Sequence, residues 1–269
     1  MATNDLYEVL IVKYGTRSTV ASDVYLNFHL YGESDRPIDM DYFFWVARNA
    51  ERTICIDTGF SQAGALARKR TFVADPADAY RKLNVNPADK PTVIVTHAHY
   101  DHIGNLDLFP QSQIVMAEAE FDFWNSKYGI RKQFHHSVED VEIELLRNAH
   151  AEGRVTLFNK SLDLFPGIQL IQVGGHTPGQ TMVRVSTSDG DVLLASDAIH
   201  YYEEYERDMP FAFVANLPQM YQSFDLIREM VDQGEVQHLV SGHDPDTLNR
   251  FPAANELPGL AAVIGRIDS

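Results

Sequence analysis

The segment Thr96-His97-Ala98-His99-Tyr100-Asp101-His102 most constrains what this chain can fold into. It follows Pro91-Thr92-Val93-Ile94-Val95, an apolar run that reads as a strand covered on both faces. Three imidazoles and a carboxylate placed together at the end of such a strand are costly to desolvate unless a cation compensates them. Within His97-Ala98-His99, alternate residues of an extended segment point the same way, so both rings can reach one ion. Asp101 and His102 follow after one spacer and can turn toward a second.

Three further polar clusters sit at the ends of short apolar runs. Gly175-His176-Thr177-Pro178-Gly179 follows Leu170-Ile171-Gln172-Val173, Ser196-Asp197 follows Val192-Leu193-Leu194-Ala195, and Ser241-Gly242-His243-Asp244 follows His238-Leu239-Val240. In open α/β sheets, residues just past strand ends converge on one crevice. The donors are then His97, His99, His102, His176 and His243 with Asp101 and Asp197, and no thiolate. Such a set suits zinc, and iron or manganese less specifically. It exceeds one tetrahedral ion and suits two ions roughly 3–4 Å apart with one carboxylate bridging.

The rest of the chain reads as alternating strands and helices. Residues 7–13, 41–47 and 52–56 read as strands, 62–70 and 76–83 as helices, and 116–152 as helices with Phe121, Trp124 and Tyr128 on one stripe. Strand-like runs return at 154–158, 168–173, 181–186 and 191–195, then a helix at 217–233 and a strand at 236–240. Each half is β-rich first and helical later, which implies an α/β (α+β) fold with helices covering sheets. No repeat or linker divides the chain, so 1–269 is expected to be a single domain.

Several classes are excluded or set aside. No stretch approaches the roughly 18–20 apolar residues of a membrane-spanning helix, and Met1-Ala-Thr-Asn-Asp-Leu-Tyr7 lacks a secretory pattern, so a cytoplasmic location is expected. The formal charge of −16 opposes nucleic acid and anionic membranes as partners. The single cysteine, Cys55, forms no internal disulfide and reads as a small buried strand residue.

The string from Thr96 to Asn105, with Gly175-His176-Thr177-Pro178-Gly179, Asp197, Gly242-His243 and the early Asp57-Thr58-Gly59 turn, resembles the metallo-β-lactamase superfamily. The resemblance implies a four-layer αβ/βα sandwich with a dimetal site at one edge. It assigns His97, His99 and His176 to a first ion, Asp101, His102 and His243 to a second, and Asp197 to a bridge. The implied cofactor is two Zn2+, with Fe or Mn as alternatives. Cys55 matches no ligand position, which points away from thiolate-ligand β-lactamases, and His99 in place of a Glu points away from the redox-active diiron branch.

Within that superfamily the chain most resembles the N-acyl homoserine lactonase-like group. The implied activity is opening of a lactone ring, most simply an N-acyl homoserine lactone or similar small lactone, by a metal-bridging hydroxide, with Asp101 as a catalytic proton shuttle. One departure stands out: the tyrosine that relatives carry three residues after the bridging aspartate is His200 here, followed by Tyr201 and Tyr202. His200 is therefore expected to donate a hydrogen bond to the substrate oxygen, with a pocket-lining role as the alternative. Aromatic residues near 25–31, 121–128 and 201–213 offer an apolar pocket wall for an acyl chain or an aromatic lactone.

Rival readings are a thioester hydrolase resembling glyoxalase II, an iron-dependent persulfide dioxygenase, and a binding module with an inert metal site. The first needs basic residues to grip glutathione, and after Arg228 only Arg250 and Arg266 are basic. The segment 201–215 mixes aromatics with charge and suits a lid, a packed loop or a dimer contact; a homodimer is the expected assembly.

Overall fold

The computed structural model describes residues 5–266. Residues 1–4, which carry part of the reading that no secretory segment is present, lie outside the described residues, as do 267–269 at the end of the expected domain. In chain order the strands are β1 (Glu8–Val20), β2 (Pro37–Arg48), β3 (Thr53–Ile56), β4 (Thr71–Phe72), β5 (Thr92–Ile94), β6 (Ile114–Ala117), β7 (Val155–Phe158), β8 (Ser161–Phe165), β9 (Ile168–Gln172), β10 (Thr181–Thr187), β11 (Gly190–Ser196), β12 (His238–Ser241) and β13 (Ala261–Ile264). The helices are α1 (Ala21–Val24), α2 (Gln62–Ala67), α3 (Pro76–Lys82), α4 (Tyr100–Ile103), α5 (Glu118–Trp124), α6 (Lys132–His135), α7 (Asp140–Ala151), α8 (Tyr202–Arg207) and α9 (Leu217–Asp232).

One sheet has the order β13-β1-β2-β3-β5-β6-β7 with β4 on β1, and the other has the order β12-β11-β10-β9-β8. Alternation along the strands splits the apolar residues between layers. Leu10, Val12 and Tyr14 of β1 and Tyr42, Phe44 and Val46 of β2 face α-helices, while Val9, Ile11, Phe43, Trp45 and Ala47 face the other sheet, meeting Leu170, Val183, Val185, Val192 and Leu194. The outer face of that second sheet, through Met182, Leu193 and Ala195, packs on Met220, Phe224, Ile227 and Met230 of α9. Three apolar interlayers therefore separate four layers, helix, sheet, sheet, helix, as expected.

Helix starts follow local chemistry. Asp75 accepts the amide of Ala77 ahead of Pro76, and Asn216 accepts the amide of Gln219 in α9, so each cap satisfies an orphan N–H. Met220, Phe224, Ile227 and Met230 then bury one stripe of α9.

The sequence reading departs from the structure in places. β1 runs on to Val20 and β2 begins at Pro37, because the two pair as a long antiparallel ribbon whose outer part is only half-buried and polar. Residues 114–117, partly counted with the helical stretch, form β6, buried on both sides between β5 and β7. β8 and β13 were not anticipated: both are short outermost strands, where pairing supplies what the residue pattern lacks. Among the described residues, no helix is long and apolar enough to cross a membrane.

Candidate metal centre

Strand ends build the site. β3 and β5 run parallel, as do β11 and β12, so Asp57, the His97–His102 segment, Asp197 and His243 all leave their sheets at one edge, where the β9–β10 connection adds His176. Asp101 and His102 reach it from α4, a single turn. Asp57 and Ser196 both adopt positive φ, 58° and 47°, strained for residues other than glycine, and sharp turns result just where ligands must be aimed. Gly242 is required by close approach: a Cβ there would meet Asp197 Oδ1 at 2.8 Å and the Ser196 carbonyl at 2.7 Å.

Seven donors fall into two buried groups, His97, His99, His176 and Asp197 in one and Asp101, His102 and His243 in the other, with the donor atoms of each within 4.8 Å of one another. His97 Nε2 and His176 Nε2 each lie 3.0 Å from His99 Nδ1. Asp197 stands between the groups. Its Oδ2 is 3.6 Å from His97 Nε2 and 3.3 Å from His176 Nε2, while its Oδ1 is 3.3 Å from His102 Nε2 and 3.2 Å from His243 Nε2. His243 Nε2 is 3.9 Å from Asp101 Oδ2.

The outer ring nitrogens fix which atoms face inward. His102 Nδ1 donates to Asp57 Oδ2 at 2.6 Å, His176 Nδ1 to the Phe213 carbonyl at 2.9 Å, and His243 Nδ1 to the Asp41 carbonyl at 2.8 Å. With the proton assigned to Nδ1 by these acceptors, each Nε2 presents a lone pair to the centre. His102 Nε2 is buried and has no hydrogen-bond partner. Converging lone pairs on buried side chains call for a cation, so this donor set fits a divalent metal.

Electrostatics agree. Burial pushes His97 and His99 well below the ordinary imidazole range, and His176 down to about 3, with neighbouring rings adding to the effect. Burial alone would raise Asp197, but His200, His243, His102 and His97 outweigh it and hold the carboxylate well below its usual range. Neutral His97, His99 and His176 beside an ionised Asp197 are the protonation states that ligate, whereas at His102 burial is outweighed by the Asp197, Asp57 and Asp101 carboxylates, which hold the ring well above the ordinary imidazole range, so a cation there must displace a proton.

The centre opens into a cavity of about 430 Å³ lined by Met40, Tyr42, Phe211 and Phe213, and also by Arg17, Arg68 and Arg70. Of the aromatic residues expected to form its wall, Phe211 and Phe213 do so, whereas Tyr201 and Tyr202 donate elsewhere, to the carbonyls of Asp39 and Leu239. His200 is in the cavity wall, its ring stacked on Phe211 at 3.7 Å, with Nε2 3.0 Å from Asp197 Oδ2 and Nδ1 3.2 Å from Glu204 Oε1. The basic residues at the cavity come from the N-terminal third, so their scarcity near the C-terminus says nothing about this site.

A family model described as the metallo-beta-lactamase superfamily matches residues 41–232. The chain belongs to that superfamily. The match holds every donor of the centre except His243, which the fold supplies from the end of β12. An N-acyl homoserine lactonase from Bacillus sp. is 25% identical over 190 residues, 65% of this chain and 70% of the relative. The crystal structure of a quorum-quenching N-acyl homoserine lactone lactonase superposes with a TM-score of 0.77 at 19% identity, covering 92% of this chain and 96% of that one. AidC, a dizinc quorum-quenching lactonase bound to N-hexanoyl-L-homoserine as product, superposes with a TM-score of 0.69 at 19% identity, over 89% and 88% of the two chains. At these identities the structural likeness establishes the superfamily sandwich.

Sequence reasoning passed over Glu120. Its buried carboxylate accepts the amides of Ala98 and Gly179, both 2.9 Å away, and the Trp124 indole N–H at 2.7 Å. One local trace existed, the glycine at 179, where a Cβ would meet the Glu120 backbone at 2.3 Å.

Proposed function

We propose that this chain opens lactone rings, N-acyl homoserine lactones or similar small lactones, with two zinc ions. The chain is a metal-dependent hydrolase of the superfamily, and a lactone substrate and a zinc pair are what we propose for it. His97, His99 and His176 would hold one ion, Asp101, His102 and His243 the other, and Asp197 would serve both. The observation that carries this is the placement of Asp197, whose two oxygens face separate histidine sets at the floor of one cavity. The N-acyl homoserine lactonases among its relatives support the choice of a lactone.

Bound there, divalent metal supplies Lewis acidity toward an ester carbonyl and lowers the pKa of water. The chain's own residues do the rest. Asp101, in the second donor group and at the cavity wall, is placed to accept a proton near the reacting bond, and His200, also in that wall, is the proposed donor to the substrate oxygen. Phe211 and Phe213 exclude water from one side.

The test is proton release by zinc-loaded protein against a panel of acyl homoserine lactones, aromatic lactones and a glutathione thioester, each beside a metal-stripped control, with metal content measured on the same samples. Turnover of a lactone that disappears with the metal and returns with zinc is the expected result. Silence on every lactone with two equivalents of zinc bound overturns the lactonase reading.

A further inference from the structure

Most arginines of this chain stand against a carboxylate: Arg36 on Glu203, Arg48 on Glu8, Arg154 on Glu152, Arg184 on Asp191, Arg228 on Asp208 and Arg250 on Asp246. Arg17 and Arg70 do not, among the described residues, although acidic residues outnumber basic ones by 38 to 22. Both are half-buried and both line the cavity above the metal centre. Arg17 donates to Thr19 Oγ1 at 3.1 Å, and Arg70 donates through Nε to the Tyr100 hydroxyl at 3.2 Å and through Nη1 to the Arg68 carbonyl at 2.8 Å.

The partner of Arg70 is held from a second side. Arg68 is paired with Glu139 and lies 4.0 Å over the Tyr100 ring, so the phenol that receives Arg70 is clamped from its other side. Three carboxylates also line the cavity: Asp101 and Asp197 belong to the metal centre, Asp101 acting on Arg70 through space without an ion pair, and Asp23 accepts from Thr19 Oγ1 at 3.3 Å. A half-buried guanidinium that no protein carboxylate contacts is a site where a planar anion from outside makes paired, charge-assisted hydrogen bonds. Phe211 and Phe213 give the same cavity an apolar part.

Building on the lactonase reading, we infer that the substrate carries a carboxylate, held by Arg17 and Arg70, at the end of the acyl group remote from the bond that is cleaved. An uncharged alkyl chain would leave both guanidiniums stripped of part of their water with nothing in exchange, whereas a carboxylate replaces that water.

The experiment compares N-hexanoyl with N-adipoyl homoserine lactone, acyl groups of equal length ending in a methyl or a carboxylate, on the zinc-loaded wild type, the double variant R17Q/R70Q and R70K. The expected result is a kcat/KM higher by roughly tenfold for the adipoyl compound, expressed in KM, as one hydrogen-bonded charge pair provides. That ratio falls toward unity in R17Q/R70Q and is partly kept in R70K. Equal or better turnover of the hexanoyl compound, or a ratio unchanged in R17Q/R70Q, overturns the inference. If no lactone is turned over, the lactonase reading fails by itself, and calorimetric titration of metal-free protein with adipate decides the anion site: binding that weakens roughly tenfold in R17Q/R70Q sustains it, and absent or unaltered binding refutes it. Turnover of the dicarboxylate glutathione thioester alone, lost in R17Q/R70Q, would keep the anion site and move the cleaved bond.

Discussion

Glu120 Oε2 receives the amide hydrogen of Gly179 at 2.9 Å, inside the loop that carries His176. The same carboxylate takes the amide of Ala98, between His97 and His99, through Oε1. One fully buried side chain on α5 thus ties together the two backbone segments that present the first donor group. Its ionised oxygens accept from three N–H groups at once, which offsets the burial that pushes its pKa up.

Replacing Glu120 by Gln turns one of those oxygens into a donor facing an N–H, and replacing it by Ala leaves buried amides unpaired at about 1–3 kcal/mol each. Residues that orient ligands typically change metal affinity by roughly 10–100-fold when lost. E120Q should therefore bind zinc more weakly by about that factor at its tighter site, read by competition with a chromophoric chelator. Wild-type affinity in a folded E120Q would show that the two loops hold their own geometry.

Metal removal should also be visible in stability. A ligand that binds only the folded state stabilises it by about 2.7 kcal/mol at a hundredfold excess over its Kd, and a chain of this size gains roughly 2–4 °C per kcal/mol. Stripping the centre should therefore lower Tm by about 5–10 °C, and zinc should restore it. A Tm indifferent to chelation, with metal content at zero, would mean that the buried imidazoles tolerate one another without a cation.

How much of this was legible in the sequence depends on how local each cause is. His97, His99, Asp101 and His102 announce themselves because they are compressed into six residues behind an apolar strand. His176, Asp197 and His243 are readable because each ends a strand, and the sheet order brings those ends together. Glu120 looks like any acidic residue of a helix until the fold sets it against Ala98 and Gly179. Arg17 and Arg70 lie 53 positions apart in the sequence and come to line one cavity because β4 pairs with β1 at Gly15 and Thr16. The strands β8 and β13 escaped for the same reason, since their partners rather than their residues make them strands.

A pH-dependent penalty follows from Glu142 on α7. Burial, and then the Glu139 carboxylate, push its pKa from 4.5 up to about 8, and its Oε2 has no hydrogen-bond partner. Folding therefore takes up a proton between those two values, so this residue's destabilisation is absent below pH 4.5, grows as the pH rises through the window and levels off above 8. E142Q removes the charge, and should be more stable than wild type by roughly 2–4 kcal/mol at pH 8.5, with the gain vanishing near pH 5. Denaturant midpoints at the two pH values check it; an equal difference at both would place the effect in packing rather than ionisation.

His200 is the residue whose role chemistry must decide. Its Nε2 lies 3.0 Å from Asp197 Oδ2, its Nδ1 lies 3.2 Å from Glu204 Oε1, and its ring leans on Phe211 at the cavity wall. A donor to a developing oxyanion is worth about 10²–10³ in kcat, and its loss leaves metal binding intact, whereas a ring that merely steadies Asp197 would loosen the metal when removed. If His200 serves the substrate, H200A should lose roughly a hundredfold in kcat with KM changed far less and two zinc ions retained, and H200Q, which keeps an N–H donor, should recover part of the rate. Unchanged kcat and KM in H200A would remove His200 from the mechanism, and a loss of zinc that accounts for the whole loss of rate would make it a positioning residue for Asp197.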